Sequence, residues 1–190
     1  IWVGGVMLVA ILKPHARLEG LVDPKPHQLF FGRYFLFFVM SQIQAAVIMA
    51  GDLLVLKIQC VEPALLFATG AITSLVFSLL IYALTVSFGD VGKAVVVVVM
   101  VLQIAGSSGT FPIELLPDVY QKIYHIFPFP YAIDAVRECV CGLYGTTWLK
   151  NIGCLLIFGA AALVIGLLVR KPFMGLNHFM EEKLEETEML

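Results

Sequence analysis

Residues 94–112 read AVVVVVMVLQIAGSSGTFP, an apolar stretch that breaks into Gly106, Ser107, Ser108, Gly109 and Pro112. As a helix, the run from Ala94 to Ala105 is about 18 Å long at ~1.5 Å per residue, well short of the ~30 Å hydrocarbon core of a bilayer. A helix that stops at that depth leaves unpaired N–H and C=O groups that lipid cannot satisfy, so the break is either buried in protein or faces a watery cavity. This points to a membrane domain that handles something rather than a passive anchor.

The rest of the chain fits a membrane setting. Of 190 residues, 60% are hydrophobic and 14% charged, with a mean hydropathy of +0.94, against ~45–50% and ~25% in soluble domains. At ~20 residues per span the length supplies about five embedded helices in one domain. The expected fold is an all-α polytopic transmembrane bundle with spans at 1–12, 29–51, 63–88, 94–105 and 147–169 and a tail at 170–190. The first segment, IWVGGVMLVAIL, has neither a basic region before it nor a cleavage site after it, so it reads as the cut end of a longer span rather than a signal peptide. A formal net charge of −2 gives no basic field for nucleic acid. The histidines are scattered, and Cys60, Cys139, Cys141 and Cys154 make no zinc-like spacing, so neither metal nor cofactor is expected. Cys60 falls on the same side of the proposed topology as Cys139 and Cys141, which leaves a disulfide open beside the reading as unpaired small apolar residues.

Lys and Arg set the orientation. If 94–144 counts as one crossing, Lys13, Arg17, Lys25, Arg33, Lys93, Arg170, Lys171 and Lys183 share one side, with Lys57, Lys122, Arg137 and Lys150 on the other. The positive-inside rule makes the first side, including the C-terminus, cytoplasmic. Residues 106–146 then form an external, partly re-entrant region. In it Leu116, Val119, Tyr120, Ile123, Ile126 and Phe127 recur at helical spacing, opposite Asp118, Gln121, Lys122 and His125. Pro128 and Pro130 break this helix, and a second short one from Tyr131 to Gly142 carries Asp134, Arg137 and Glu138, with an Asp134–Arg137 pair at i, i+3.

Four blocks carry a resemblance. They are FGDVGK at 88–93, QIAGSSGTFP at 103–112 followed by Glu114-Leu115-Leu116-Pro117, FP at 127–128, and YAIDAVRE at 131–138. Together they resemble the C-terminal membrane domain of the YhgE/Pip (phage infection protein) family, within the wider ABC-2 type permease group. The resemblance implies six transmembrane helices in the whole protein, a first helix and a long ectodomain absent from this chain, and an external hairpin between helices five and six. It also implies a homodimer, a separate ATPase subunit docking from the cytosol, and members acting as phage receptors or as parts of type VII secretion systems. No G-x-x-x-x-G-K-[ST] loop is present, so ATP chemistry would belong to another chain.

Candidate site residues fall in two groups. The broken helix offers Gln103, Gly106, Ser107, Ser108, Gly109, Thr110 and Pro112, where glycine frees the backbone and hydroxyls cap it; alternatively, the break only turns the chain into the hairpin. The hairpin offers Glu114, Pro128, Pro130, Asp134, Arg137 and Glu138, and for the charges Asp134, Arg137 and Glu138 structural pairing is the simpler role. Gln42, Gln44 and Gln103 suit hydrogen bonds between helices. Small residues at Ala68, Gly70, Ala71 and Ser74, and at Gly159, Ala162 and Gly166, allow close helix approach within the chain or across a dimer. The connector KPHARLEGLVDPKPHQ at 13–28 reads as a docking element or as a basic linker at an anionic leaflet. The acidic tail at 181–188 is a solvated helix or unstructured. Absence of G-x-S-x-G and H-E-x-x-H motifs argues against a hydrolase. Two functions stand: an ABC-2 permease-like domain for export or secretion, gated at the broken helix, or an anchor for a surface ectodomain serving as phage receptor or secretion component.

Overall fold

The computed structural model describes residues 1–12, 26–107, 109 and 113–169. The connector at 13–25, Ser108, Thr110, Phe111 and Pro112, and the tail at 170–190 lie outside the described residues. Among the described residues there are six α-helices and no strand: α1 Trp2–Ile11, α2 Pro26–Leu54, α3 Pro63–Gly106, α4 Asp118–Ile123, α5 Pro128–Cys141 and α6 Thr147–Val164. Short 3-10 turns at Ile113–Leu115 and Tyr124–Ile126 flank α4, and a wide turn at Ile165–Val169 ends α6. Three helical stretches, His27–Leu54, Pro63–Gly106 and Thr147–Leu167, are long and apolar enough to cross a bilayer.

α3 is the organising element, and it is bent double. Gly89 has φ 59° and ψ −131°, a backbone conformation closed to residues with a Cβ. In a straight helix residues 84 and 92 would lie about 12 Å apart. Here Gly92 sits against the Leu84 carbonyl, with the Thr85 Cα only 3.1 Å from where a Gly92 Cβ would stand. The chain therefore reverses at Gly89 into two antiparallel arms, 63–88 and 90–106. The expected connector at 89–93 shrinks to one residue. Its polar residues lie in the first turn of the second arm, where Lys93 Nζ donates to Asp90 Oδ1 at 2.7 Å and the Asp faces the positive end of the helix dipole.

The first arm is the centre of the bundle. It packs against α1, α2, α5 and α6, and Val76, Ala83, Ser74, Thr69, Thr85 and Ser87 on it are all fully enclosed. Its short hydroxyl side chains permit close helix approach and bond across it: Ser74 Oγ donates to Ser41 O at 2.7 Å and Ser87 Oγ to Ile165 O at 3.3 Å. From neighbouring α2, Gln42 Nε2 donates to Ala71 O at 3.1 Å and Tyr82 OH, on the arm, to Phe30 O at 3.1 Å. The small residues are used within the chain. Gly70 admits Met49, Gly159 faces Val76, and Gly166 takes the Phe30 ring. Val98, Val101, Val47 and Ile157 project outward, the apolar exterior of a bilayer-embedded bundle.

The hairpin is shorter-limbed than its periodicity suggests. Pro117 stands at the N-cap of α4, and α4 runs only six residues. Val119 and Ile126, on the apolar stripe, are exposed. α5 begins three residues earlier than expected, at Pro128, since a proline fits the first turn where no N–H is required.

Candidate functional site at the broken helix

The end of α3 meets the hairpin at three contacts. Gln103, 1% exposed, accepts through Oε1 from the Phe129 N–H at 3.2 Å. Prolines at 128 and 130 have no N–H, so Phe129 carries the only backbone donor among the first three residues of α5. The glutamine thus caps the start of one helix from the flank of another, while its own Nε2 has no partner among the described residues. Gly106 lies under the Tyr120 ring, which would stand 2.7 Å from a Cβ there. Gly106 is not at positive φ; closeness to α4, rather than backbone freedom, is what a side chain would disturb. Gly109 sits beside Ile133 Cδ1 and Ser107 Oγ in the same way, 3.2 and 3.5 Å from its Cβ position. Ser107 closes α3 and is buried.

The far end of α5 is secured by the segment that precedes α3. Glu62 N donates to Cys139 O at 3.1 Å, Val61 N to Val140 O at 3.3 Å, and the Cys60 thiol to Cys139 O at 3.2 Å. These carbonyls belong to the last turn of a helix and have no partner within it. Behind them the Thr69 hydroxyl joins Trp148 Nε1 at 2.9 Å and Cys139 Sγ at 3.3 Å. Burial pushes the Cys139 thiol pKa up, against a smaller opposing effect of the Thr69 hydrogen bond. All four cysteines are unpaired.

The remaining hairpin candidates lie toward the surface. Arg137 Nη1 donates to Asp134 Oδ1 at 3.1 Å, with both side chains partly exposed. Glu138 Oε2 accepts from Tyr144 N at 2.6 Å, fastening the turn through Gly142, which has φ 107°. Glu114 is exposed in a 3-10 turn and joins none of these contacts. Pro128 and Pro130 are buried at the start of α5. The structure thus gathers Gln103, Gly106, Ser107, Gly109, Pro128 and Pro130 at one junction.

Between α1, both arms of α3 and α5 lies an open cavity of about 420 Å³. Phe129, Ala132, Ile133, Val136 and Arg137 line one face of α5 at i, i+3, i+4, i+7 and i+8. Thr73 and Phe77 face them from the first arm, Met100 and Ile104 from the second, and Trp2 from α1. Trp2, Phe77 and Phe129 pack with ring centroids 5.1–5.3 Å apart. Trp2 Nε1 and Thr73 Oγ1, in this wall, are buried and find no hydrogen-bond partner among the described residues. The single-helix periodicity of the α5 face was readable in the sequence; the cavity was not, because its other walls come from residues up to 136 positions away.

Comparison with known proteins follows the same lines. The family model described as ABC-2 family transporter protein matches residues 21–168. The chain is also 30% identical over 189 residues to a Bacillus subtilis (strain 168) protein named "Uncharacterized protein YhgE"; the match takes in 98% of this chain and 23% of that relative's length. No solved structure matches.

Proposed function

Because the chain belongs to the ABC-2 family of transporter proteins, we propose that this multi-pass membrane domain moves a substrate outward across the cell membrane, with its outer gate where α3 ends against the hairpin. One observation carries the reading. The short apolar second arm of α3 stops at Gly106, and there Tyr120 of α4 covers Gly106 while Ile133 of α5 lies beside Gly109, an arrangement in which a broken helix can line a path without exposing bare backbone.

Relative positions support a hairpin that dips into the bilayer. The first arm of α3 is about 39 Å long by its residue count, and α5 lies along its outer part, Phe129 stacking on Phe77 and Cys139 meeting Thr69 and Glu62. In this reading the Gly89 bend, with Lys93, faces the cytoplasm together with the C-terminal tail, as the Lys and Arg distribution requires. Family members of this kind work with an ATPase subunit, which would dock on that side. A pair of chains completes the permease, and since Gly70, Gly159 and Gly166 are occupied within the chain, the pairing surface is one of the outward apolar faces. A second reading rests on the chain spanning only 23% of the length of its relative: the bundle anchors a large extracellular part used as a phage receptor or secretion component.

The two readings separate in one set of measurements on the full-length protein. Transport requires an ATPase subunit to co-purify and its ATP hydrolysis in nanodiscs to respond to the membrane protein, with Gly106→Leu abolishing the response in a protein that still folds and inserts. If no ATPase co-purifies, and unrelated spanning helices substitute for the bundle without loss of surface function, the transport reading fails and the anchor stands.

A further inference from the structure

We propose that Cys60 and Cys139 are a redox clasp: a small-molecule disulfide oxidises the pair to a Cys60–Cys139 bond that ties the foot of α5 to the entrance of α3, and a small thiol reopens it. The main chain sets the placement. Val61 N and Glu62 N donate to Val140 O and Cys139 O at 3.3 and 3.1 Å, so the segment entering α3 runs alongside the last turn of α5. Cys60 begins that segment, and its thiol donates to the carbonyl of Cys139 itself at 3.2 Å. Cys60 also packs against the small cluster that Cys139 forms with Met49 and Leu66. For its part, Cys139 Sγ lies 3.3 Å from the Thr69 hydroxyl, a weak contact that a turn about its Cα–Cβ bond gives up. Cys141 is the other thiol on α5, and the helix turns it away: two residues are about 200° apart around the axis, and Cys141 is exposed where Cys139 is buried.

The exchange balances with the disulfide R–S–S–R as oxidant. The Cys60 thiolate attacks one of its sulfurs; the S–S bond breaks, leaving a mixed disulfide on Cys60 and one R–S⁻, which takes up the proton that Cys60 lost. Cys139 then attacks the Cys60 sulfur, and the second R–S⁻ leaves and takes the proton of Cys139. Two cysteine thiols are oxidised by two electrons and one disulfide is reduced to two thiols. The product adds to a joint of three hydrogen bonds a covalent bond between residues 79 positions apart, so the foot of α5 can no longer peel away from α3. Oxidants of this kind persist outside the cell rather than in the cytosol, so the physiological side of the clasp rests on the orientation read from Lys and Arg.

The test is treatment of the full-length protein in nanodiscs with oxidised glutathione, followed by tryptic digestion without reductant. The peptide that begins at Ile58 should appear joined to the one that begins at Glu138, in Cys141→Ser as in the parent, and should be single in Cys60→Ser and Cys139→Ser; dithiothreitol should separate the joined pair. Amide exchange at 139–142 should slow several-fold on oxidation of the parent and stay unchanged in Cys60→Ser, whose hydroxyl keeps the hydrogen bond to Cys139 O. A linkage that survives Cys139→Ser and vanishes in Cys141→Ser would overturn the proposal, as would glutathione held on Cys60 or Cys141 with no joined peptides. Labelling of Cys141 on intact cells by a membrane-impermeant maleimide reports the orientation separately. A pair that closes in nanodiscs while Cys141 is reached only after permeabilisation would overturn the outward orientation and uphold the bond.

Discussion

A glutamine inside an apolar helix must find partners, and Gln103 finds the one N–H that two prolines leave at the head of α5. Replacing it with Leu removes the acceptor and strands a buried donor, which costs on the order of 1–3 kcal/mol. Gln42→Leu is the contrast, because its partner, Ala71 O, lies inside a helix; the loss there is about 0.6 kcal/mol. Thermal unfolding in detergent should rank Gln103→Leu well below Gln42→Leu and the parent protein. That Gln103 needed a partner was legible from its place in an apolar run. Which partner was not, since Phe129 is 26 residues on and beyond a proline-rich turn. Among the cysteines, exposure separates Cys141, at the surface, from Cys139, which is fully buried and whose thiol pKa is raised by desolvation. Maleimide labelling followed by peptide mass analysis should modify Cys141 first and Cys139 last.

At the scale of the element, the reversal of α3 depends on two glycines with different duties. Gly89 supplies a dihedral, and Gly92 supplies room beside the Leu84 carbonyl. Gly89→Ala should cost about 1–3 kcal/mol of backbone strain, and Gly92→Val more, because its side chain collides with main chain that cannot move aside. Monodispersity on gel filtration and yield of folded protein measure both. FGDVGK announced a break between two apolar segments, yet the length of that break was hidden: Asp90 and Lys93 look like loop residues but fill a helix's first turn. The hairpin shows the reverse case. Its apolar periodicity runs from Leu116 to Phe127, yet α4 itself is only six residues long, and Val119 and Ile126 face outward. Hydrogen exchange should therefore be slow along α5, held at both ends, and fast along α4.

Over the whole molecule, the division between packed and outward faces sets tolerance to charge. Val98 projects from the second arm of α3 and Tyr144 from the turn before α6. Val98→Lys should impair membrane insertion by about 2.5–3.5 kcal/mol if it lies near the bilayer centre, and Tyr144→Lys should be nearly neutral; glycosylation-site mapping in microsomes measures the difference. Membrane class, an all-helical bundle and the family blocks were legible because hydropathy and motif are local properties of the chain. The cavity and the fastening of α5 were not, because each needs residues from four or more separate segments to meet. That fastening has a mechanical consequence. α5 is pinned at its head to one limb of α3 and at its foot to the segment leading into the other, so the three rods form a braced triangle. A push on the Gly89 corner should therefore carry α5 with the frame rather than swing it as a flap.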